Sequence, residues 1–539
     1  MISGAEAVAA SALSLLASPI LIAYLFDEAG RAIRPPAVLL LSLIVTAVLF
    51  FWLRRRATWD GAELAGYAVS VVASLAWLAW LAWPAELPVG HGPDLTHHLM
   101  LVDYIERHWR LAHDPTVESY LGEFFHYTPG SQMLAALAGA WTKTDGFHAL
   151  YPVVAVSVAL KAGFVFLVAL RLMPRDVRVP LAVTSVLFLF LPRAYFIGSF
   201  ASDSFVAQVV SELFAVAMWW AVAAWDERPW IGFAALFAFA GMAAFLTWPL
   251  WTGPAMLAFV AIALTREELT LPRKLEHLAV AAVPILVVAA MYSSGRLGWV
   301  GIVRTTGGVV RPWPSVIGWP FLLLSAAGVV SAAMRRSGRA ILVFTTAIAA
   351  QALALFALAA ARGADTPYMA LKMVYLAIYP LAVCAALAIA AAWRLAPRAG
   401  VRLAWAVVAV LAVAIGRPLV ASPRPKAVVS EPLYRAGQWA RANLPPACIE
   451  YLVSDSDTAY WLHLAVLGNP RMSPRTADAR TFDERATLVR WINSGGLPFA
   501  IADLSAVPRD VRDELDVLAQ FDTAAVARRR GSSSCDPKY

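Results

Sequence analysis

Apolar runs of membrane-span length recur from the start of this chain to about residue 420, and polar positions are confined to the breaks between them. A helix crossing the bilayer hydrocarbon needs about 20 mostly apolar residues. Thirteen stretches have or approach that length: Ala5–Phe26, Pro36–Leu53, Ala62–Trp83, Phe147–Leu172, Val177–Tyr195, Ser204–Trp225, Trp230–Trp251, Pro254–Leu264, His277–Tyr292, Ser315–Met334, Ala340–Ala361, Tyr368–Trp393 and Val401–Val420. Pro254–Leu264 is short and borrows turns from its neighbours.

Two segments break this rhythm. Leu87–Gly130 is a long polar stretch holding His91, His97, His98, His108, His113 and His126. Connections this long are functional or disordered, and this one is too patterned for disorder. After Pro418 a proline-broken linker leads to an amphipathic helix around Pro432–Asn443. Beyond it the pattern predicts a strand at IEYLVSD, helices over Thr458–Leu467 and Phe482–Ser494, a strand over Leu497–Ala502 and a helix over Arg509–Leu518. Short strands alternating with helices predict a small α/β unit.

The predicted fold class is an α-helical polytopic membrane protein with a small C-terminal extracytoplasmic α/β domain. Its parts are N-terminal transmembrane helices (1–83), a first extracytoplasmic loop with juxtamembrane helices (84–146), a transmembrane bundle (147–420) and the C-terminal domain (421–539). Composition agrees: 60% of residues are hydrophobic and 15% charged, against about 25% charged in soluble domains.

The net charge of +8 is topological before it is anything else. Basic links follow alternate spans, at Arg54–Arg56, Arg171/Arg175/Arg178, Arg228, Arg266/Arg273/Lys274, Arg335/Arg336/Arg339 and Arg394/Arg398/Arg402. The positive-inside rule puts all six in the cytoplasm together with the N-terminus, in a multi-pass protein of the plasma membrane. Leu87–Gly130 and the C-terminal region then face the other side. No basic helix interleaved with aromatics argues for nucleic acid. Ala5–Phe26 lacks a basic n-region and a cleavage site, so it reads as a retained helix. Cys448 and Cys535 fall in the exported tail, where they either pair or remain two separate thiols.

Candidate chemistry gathers at the predicted outer face. Asp94 stands near a helix N-cap, and on a helix running to Arg110 the i, i+3 and i+4 spacing puts Asp94, His97 and His98 on one face. Such a set serves as a general base, as metal ligands or as a cap; the plain alternative is a solvated helix on the membrane surface. Asp103 and Glu106, further along, are expected to face water. Tyr127-Thr128-Pro129-Gly130 makes a turn before Ser131–Trp141, which is too brief to span. Lys372 lies about one turn inside a span and shares a face with Tyr368 and Tyr375. An intramembrane lysine is a functional hypothesis by default, set against a side chain that snorkels to the surface. Arg193 stands at another outer end, and Arg304 and Arg311 lie in a Gly-rich loop that reads first as an ordinary mobile loop and second as one that closes over a phosphate. Asp203 opens a span, as an N-cap or a second acid, and Glu212 two turns on needs a cation such as Arg193 or Lys161. Trp248, Trp251, Trp299, Trp313 and Trp319 sit at outer ends, as interface belts do. Asp455 and Asp457 read as a turn after a strand.

An acid at the start of a first outward loop, a downstream histidine, a juxtamembrane helix and a Tyr-Pro-Pro-Gly-like turn together resemble the C-type glycosyltransferase superfamily. Asp94, His97, His98 and Tyr127–Gly130 carry that resemblance, and a Tyr-x-x-x-Lys late in the bundle, here Tyr368 and Lys372, is similar to one found in some members. The chain departs in having a single Asp94 where some members have adjacent acids, and Thr128 where a first proline is common. The resemblance implies sugar transfer from a polyprenyl-phosphate donor to an extracytoplasmic glycan, lipid or protein. It implies Asp94 as base, with His97, His98 and Asp203 beside it. Lys372, Tyr368, Tyr375, Arg193, Tyr127 and Arg304 would bind substrate. A divalent metal held by Asp94 and His98 stays open. The rivals are a transporter or flippase of lipid-linked glycans, which needs charges across the whole bilayer, and a non-catalytic membrane scaffold.

Overall fold

The structure, a computed structural model, describes residues 2–90, 93–304, 307–394, 400–453, 456–469, 497–507, 512, 515–531 and 535. The N-terminal part is α1 (Gly4–Glu28), α2 (Pro35–Arg54) and α3 (Gly61–Ala82), followed in the first loop by α4 (Pro93–His108) and α5 (Gly130–Thr142). The bundle continues through α6 (Gly146–Leu172), α7 (Arg178–Phe188), α8 (Val206–Glu227), α9 (Ile231–Thr247), α10 (Thr252–Leu264), α11 (Leu271–Gly295), α12 (Trp319–Ala333), α13 (Arg339–Ala361), α14 (Tyr368–Trp393) and α15 (Val401–Val420). Among the described residues nine helices are long and apolar enough to cross a membrane, and shorter apolar helices join them at α9, α10 and α12.

Each of the thirteen apolar stretches forms a helix, but four of these are short. The helix of the Val177–Tyr195 stretch stops at Phe188, because Pro192 removes a backbone donor and the chain turns there before a short helical turn at Arg193–Phe196. The helices begin where the sequence provides caps. Ser3 and Glu6 form a reciprocal capping box on α1, Asp60 accepts from the first turn of α3, and Asp145 accepts from His148 N at the start of α6. Lys143 adopts the left-handed conformation that ends α5.

The central helices α6 and α8 are buried almost throughout, whereas α2, α11 and α15 leave most of their apolar residues outward. Leu40, Val48 and Phe51 of α2 and Val410 and Val413 of α15 are exposed. Exposed apolar residues along helices of this length fit hydrocarbon, not water.

The basic links meet at one end of the bundle, where they neutralise acids. Arg171 pairs with Glu6 at 2.6 Å and with Glu227. Arg178 reaches Asp60 at 3.0 Å and Glu63. Arg266 and Arg336 share Glu268, at 2.9 and 2.7 Å. Arg56 lies over Trp52 and Trp230. The loops carrying Asp94, Asp203, Trp248, Arg304 and Tyr368 leave the opposite ends of these helices.

At that opposite end sits the C-terminal unit. Its helix α16 (Glu431–Asn443) packs on a four-stranded sheet of β1 (Ile449–Leu452), β2 (Phe499–Asp503), β3 (Leu515–Phe521) and β4 (Ala524–Arg529), in the order β1-β2-β4-β3. β1 runs parallel to β2, Ile449 opposite Phe499, and the rest is antiparallel. A further helix, α17 (Ser456–Trp461), continues into a π-turn at Leu462–Val466. The predicted helix over Arg509–Leu518 is overturned at its end: Leu515–Leu518 begins β3, paired to β4 as a hairpin through Asp522 at positive φ. The predicted helix Phe482–Ser494 and Asp455 lie outside the described residues. Cys448 and Cys535 are joined by a disulfide, with Cα atoms 6.0 Å apart.

This unit is clamped to the first loop. Asp103 is buried and takes a bidentate pair from Arg441 of α16 at 2.9 and 3.1 Å, as well as Arg107 from its own helix. Glu106 accepts from Gly146 N at 2.6 Å. Both were expected to face water. The C-terminal unit and the start of α6 cover that side of α4 instead. His148 bridges Asp145 at 2.7 Å and Glu431 at 3.1 Å. The connector to the unit pairs with the first loop through Val89 and Ala427.

Candidate active site

One cavity of about 760 Å³ opens at this end of the bundle. Asp94 and His98 come to it from α4, Tyr127 and Thr128 from the turn before α5, and Asp203 from the turn before α8. Trp248 closes α9, Arg304 belongs to the loop after α11, and Tyr368 and Lys372 belong to the first turns of α14.

Lys372 is 3% exposed, and its Nζ stands 3.7 Å from the ring centroid of Phe205, 4.6 Å from Tyr368 and 5.1 Å from Trp248. Aromatic faces attract a cation through their negative quadrupole, but they do not neutralise its charge. Among the described residues Lys372 has no ion-pair partner. Asp94 and Asp203 act on it only from electrostatic range. A cation held this way on a cavity wall keeps a charge that no described residue pairs, so the arrangement can take an anion.

Asp203 accepts the Tyr375 hydroxyl at 2.9 Å. Burial raises its carboxyl above the usual carboxylate range, a tendency opposed by that hydrogen bond and by the charge of Lys372. The turn that carries it is tightly packed: Ser204 has φ 56°, and a Cβ on Gly90, itself at φ 149°, would lie 2.7 Å from Ser204 Oγ. The loop leading to Asp94 and the turn bearing Asp203 are thus in direct contact.

His98 is buried at the cavity wall. Burial, followed by the charges of His97 and Lys372, pushes its pKa down to about 3. Its Nδ1 is hydrogen-bonded to Gln132 Nε2 at 2.6 Å. Among the described residues no group of three or more His, Cys, Asp or Glu is placed to hold an ion. Asp94 and His98 both line the cavity, with no third such ligand beside them among the described residues.

The Tyr127–Gly130 turn is pinned by two bonds. Thr128 Oγ1 donates to Thr247 O at 3.0 Å, and Tyr292 donates to Tyr127 O at 2.7 Å. Thr128 uses a hydroxyl where the resembling pattern has a proline. Burial raises the Tyr127 phenol well above its ordinary range, with the Asp94 charge adding to it, so it remains a donor.

Three predicted residues lie elsewhere. His97 does not line the cavity and bonds Tyr460 of the C-terminal unit at 2.9 Å, since the helix is covered on two sides and adjacent residues face different neighbours. Arg193 bonds Ser422 at 2.5 Å. Tyr375 sits behind Asp203 rather than on the wall. Glu212 pairs with Lys161, at 2.5 Å, and not with Arg193. The wall also includes His126, one of the histidines of the polar loop, Glu123 and Gln208, which nothing in the sequence pattern marked, and Trp248 and Trp299, which read as belt residues.

The fold and this cavity define an integral membrane protein with a polar site at one end of its helices. No protein-family model matches the chain, and no curated protein matches it. Similar solved structures include an oligosaccharyltransferase from Archaeoglobus fulgidus, at 14% identity over 82% of this chain and 70% of that one, TM-score 0.49. ArnT from Cupriavidus metallidurans bound to undecaprenyl phosphate is similar at 15% identity, covering 87% of this chain and 100% of that one, TM-score 0.49. The Archaeoglobus fulgidus enzyme AglB with an inhibitory peptide and a dolichol-phosphate is similar at 12% identity over 81% and 69%, TM-score 0.45. Likeness at this level carries no residue role across.

Proposed function

We propose that the protein is a membrane glycosyltransferase that moves a sugar from a polyprenyl-phosphate donor to an extracytoplasmic acceptor. The observation that carries this reading is Lys372, a buried cation left for an anion, on the same wall as the carboxylates Asp94 and Asp203. With the arginine-rich links in the cytoplasm, the cavity and the C-terminal unit face the other side of the plasma membrane, at headgroup depth. A lipid-linked phosphate arrives there with its tail in hydrocarbon and its charge at the level of Lys372.

In this reading an acceptor hydroxyl gives its proton to Asp94 as its oxygen bonds the anomeric carbon. The bond from that carbon to the phosphate oxygen breaks, and the electron pair leaves on the phosphate beside Lys372. General-base help is worth about 10²–10⁴-fold, and juxtaposing the two substrates lowers the barrier further. Asp203 and its partner Tyr375 hold the rim next to Lys372. No step calls on a metal.

A transporter would need charged groups accessible along the bilayer. The deep pair Lys161–Glu212 is sealed, with both side chains fully buried and joined to each other, which favours surface chemistry. The test is binding: the purified protein in nanodiscs should bind undecaprenyl phosphate in preference to a lipid of equal chain length with a neutral headgroup. Equal binding of the two would remove the phosphate site and the reading with it.

A further inference from the structure

Glu212 lies beneath the cavity and fixes the direction of a side chain that lines it. Its Oε2 receives Lys161 and Tyr379, each at 2.5 Å. Its Oε1 receives Gln208 Nε2 at 3.3 Å. A carboxylate only accepts, so Gln208 must turn its amide nitrogen towards Glu212 and its carbonyl oxygen away. Gln208 is 1% exposed and lines the cavity, yet its Oε1 has no hydrogen-bond partner among the described residues.

Trp248 makes the complementary case. It lines the same cavity at 4% exposure, and its Nε1 also lacks a partner among the described residues. The two residues belong to one packed corner: Ser211, on the same helix as Gln208, donates to Trp248 O at 3.2 Å, and Trp251 donates to Gln208 O at 3.1 Å. One unpartnered acceptor and one unpartnered donor remain in this corner among the described residues, and the Lys372 cation faces the Trp248 ring. Buried polar atoms left unpaired are costly, and a sugar hydroxyl can donate to the one and accept from the other.

We infer that Gln208 and Trp248 form a hydroxyl-reading subsite for the sugar of the lipid-phosphate donor, with the Lys161–Glu212 pair setting the orientation of Gln208. The inference rests on the donor reading above and adds residues that position the sugar, as distinct from the phosphate. A sugar hydroxyl donates to Gln208 Oε1 and accepts from Trp248 Nε1–H, while the adjoining phosphate meets Lys372. Gln208 and Trp248 are positioning residues; no bond to them forms or breaks.

The test uses two probes, undecaprenyl phosphate and undecaprenyl phosphate bearing a hexose or a pentose, titrated against the whole protein in nanodiscs. Gln208→Met should weaken binding of the tighter sugar-bearing lipid about tenfold and leave bare undecaprenyl phosphate within about twofold. Trp248→Phe keeps the ring over Lys372 and should show the same selective loss, so the test stands if Gln208→Met fails to fold. Parallel loss of both lipids in Trp248→Phe, or no loss in either variant, overturns the subsite while leaving the phosphate site intact. Failure of the unaltered protein to bind either lipid overturns the donor reading as well.

Discussion

The Nζ of Lys372 stands 3.7 Å over the ring of Phe205, and that ring belongs to the turn that also presents Asp203 to the cavity. Cation and acid are therefore set against each other by one short segment and the first turns of one helix. Lys372→Met keeps the length and apolar packing of the side chain and removes its charge. Charge-assisted hydrogen bonds are worth about 1.5–3 kcal/mol, so donor affinity should fall by about 10–100-fold. Lys372→Arg, whose guanidinium also stacks on aromatic rings, should lose less. Steady-state kinetics would read the loss in the donor KM; equal loss for donor and acceptor contradicts a phosphate role.

Asp103 and Arg441 clamp the C-terminal unit to the first loop. Breaking a buried pair by removing one partner costs about 3–5 kcal/mol. Asp103→Ala leaves Arg441 with only Val466 O among its described acceptors, and it should lower the stability of the unit by about 3 kcal/mol. Arg441→Ala should cost less, because Asp103 keeps Arg107. Thermal unfolding of the two single variants and the double variant checks this: the double should cost less than the sum of the singles.

Glu106 provides a pH signature. Burial is the largest cause that raises its carboxyl, to about 8, from a usual value near 4.5. Between those values the folded chain holds a proton that the unfolded chain has lost, so this group's contribution to stability falls as pH rises through the window and is level above it. Glu106→Gln should flatten that slope. Thermal denaturation between pH 5 and pH 9 distinguishes the two; an unchanged slope in the variant rejects the assignment.

The Cys448–Cys535 disulfide joins positions 87 apart in sequence. Closing so long a loop in the unfolded chain is worth about 4 kcal/mol in the chain-entropy picture. Reduction, or Cys448→Ser, should lower the unfolding transition of the C-terminal unit. Undecaprenyl phosphate binding by the bundle should persist, since no residue of the disulfide lines the cavity.

The parts of this molecule that a bilayer dictates were readable from composition. Hydrocarbon demands long apolar helices, so each such stretch became one, and Lys372 stood out because a cation in an apolar run has few reasons to be there. What needed three dimensions was less legible. Gln208 and Glu123 are ordinary polar residues near helix ends, and only the meeting of α8, α9, α14 and two loops makes them one wall. His97 shared a face with Asp94 in helical projection, but the C-terminal unit captured it through Tyr460. Asp103 and Glu106 looked solvated for the same reason, because the sequence of α4 does not announce what covers it. Leu515–Leu518 became strand because its partner, Ala524–Arg529, follows it closely in sequence and pairs as a hairpin.

The central claim is that Asp94 serves as the base for transfer in the cavity where Lys372 holds the phosphate. It is tested most directly by following radiolabelled sugar from polyprenyl phosphate into acceptors of membranes containing the protein, beside donor binding measured on the same preparations. The prediction is that Asp94→Asn binds donor as the unaltered protein does and transfers at least about 10²-fold less. Transfer at the full rate by Asp94→Asn would contradict it.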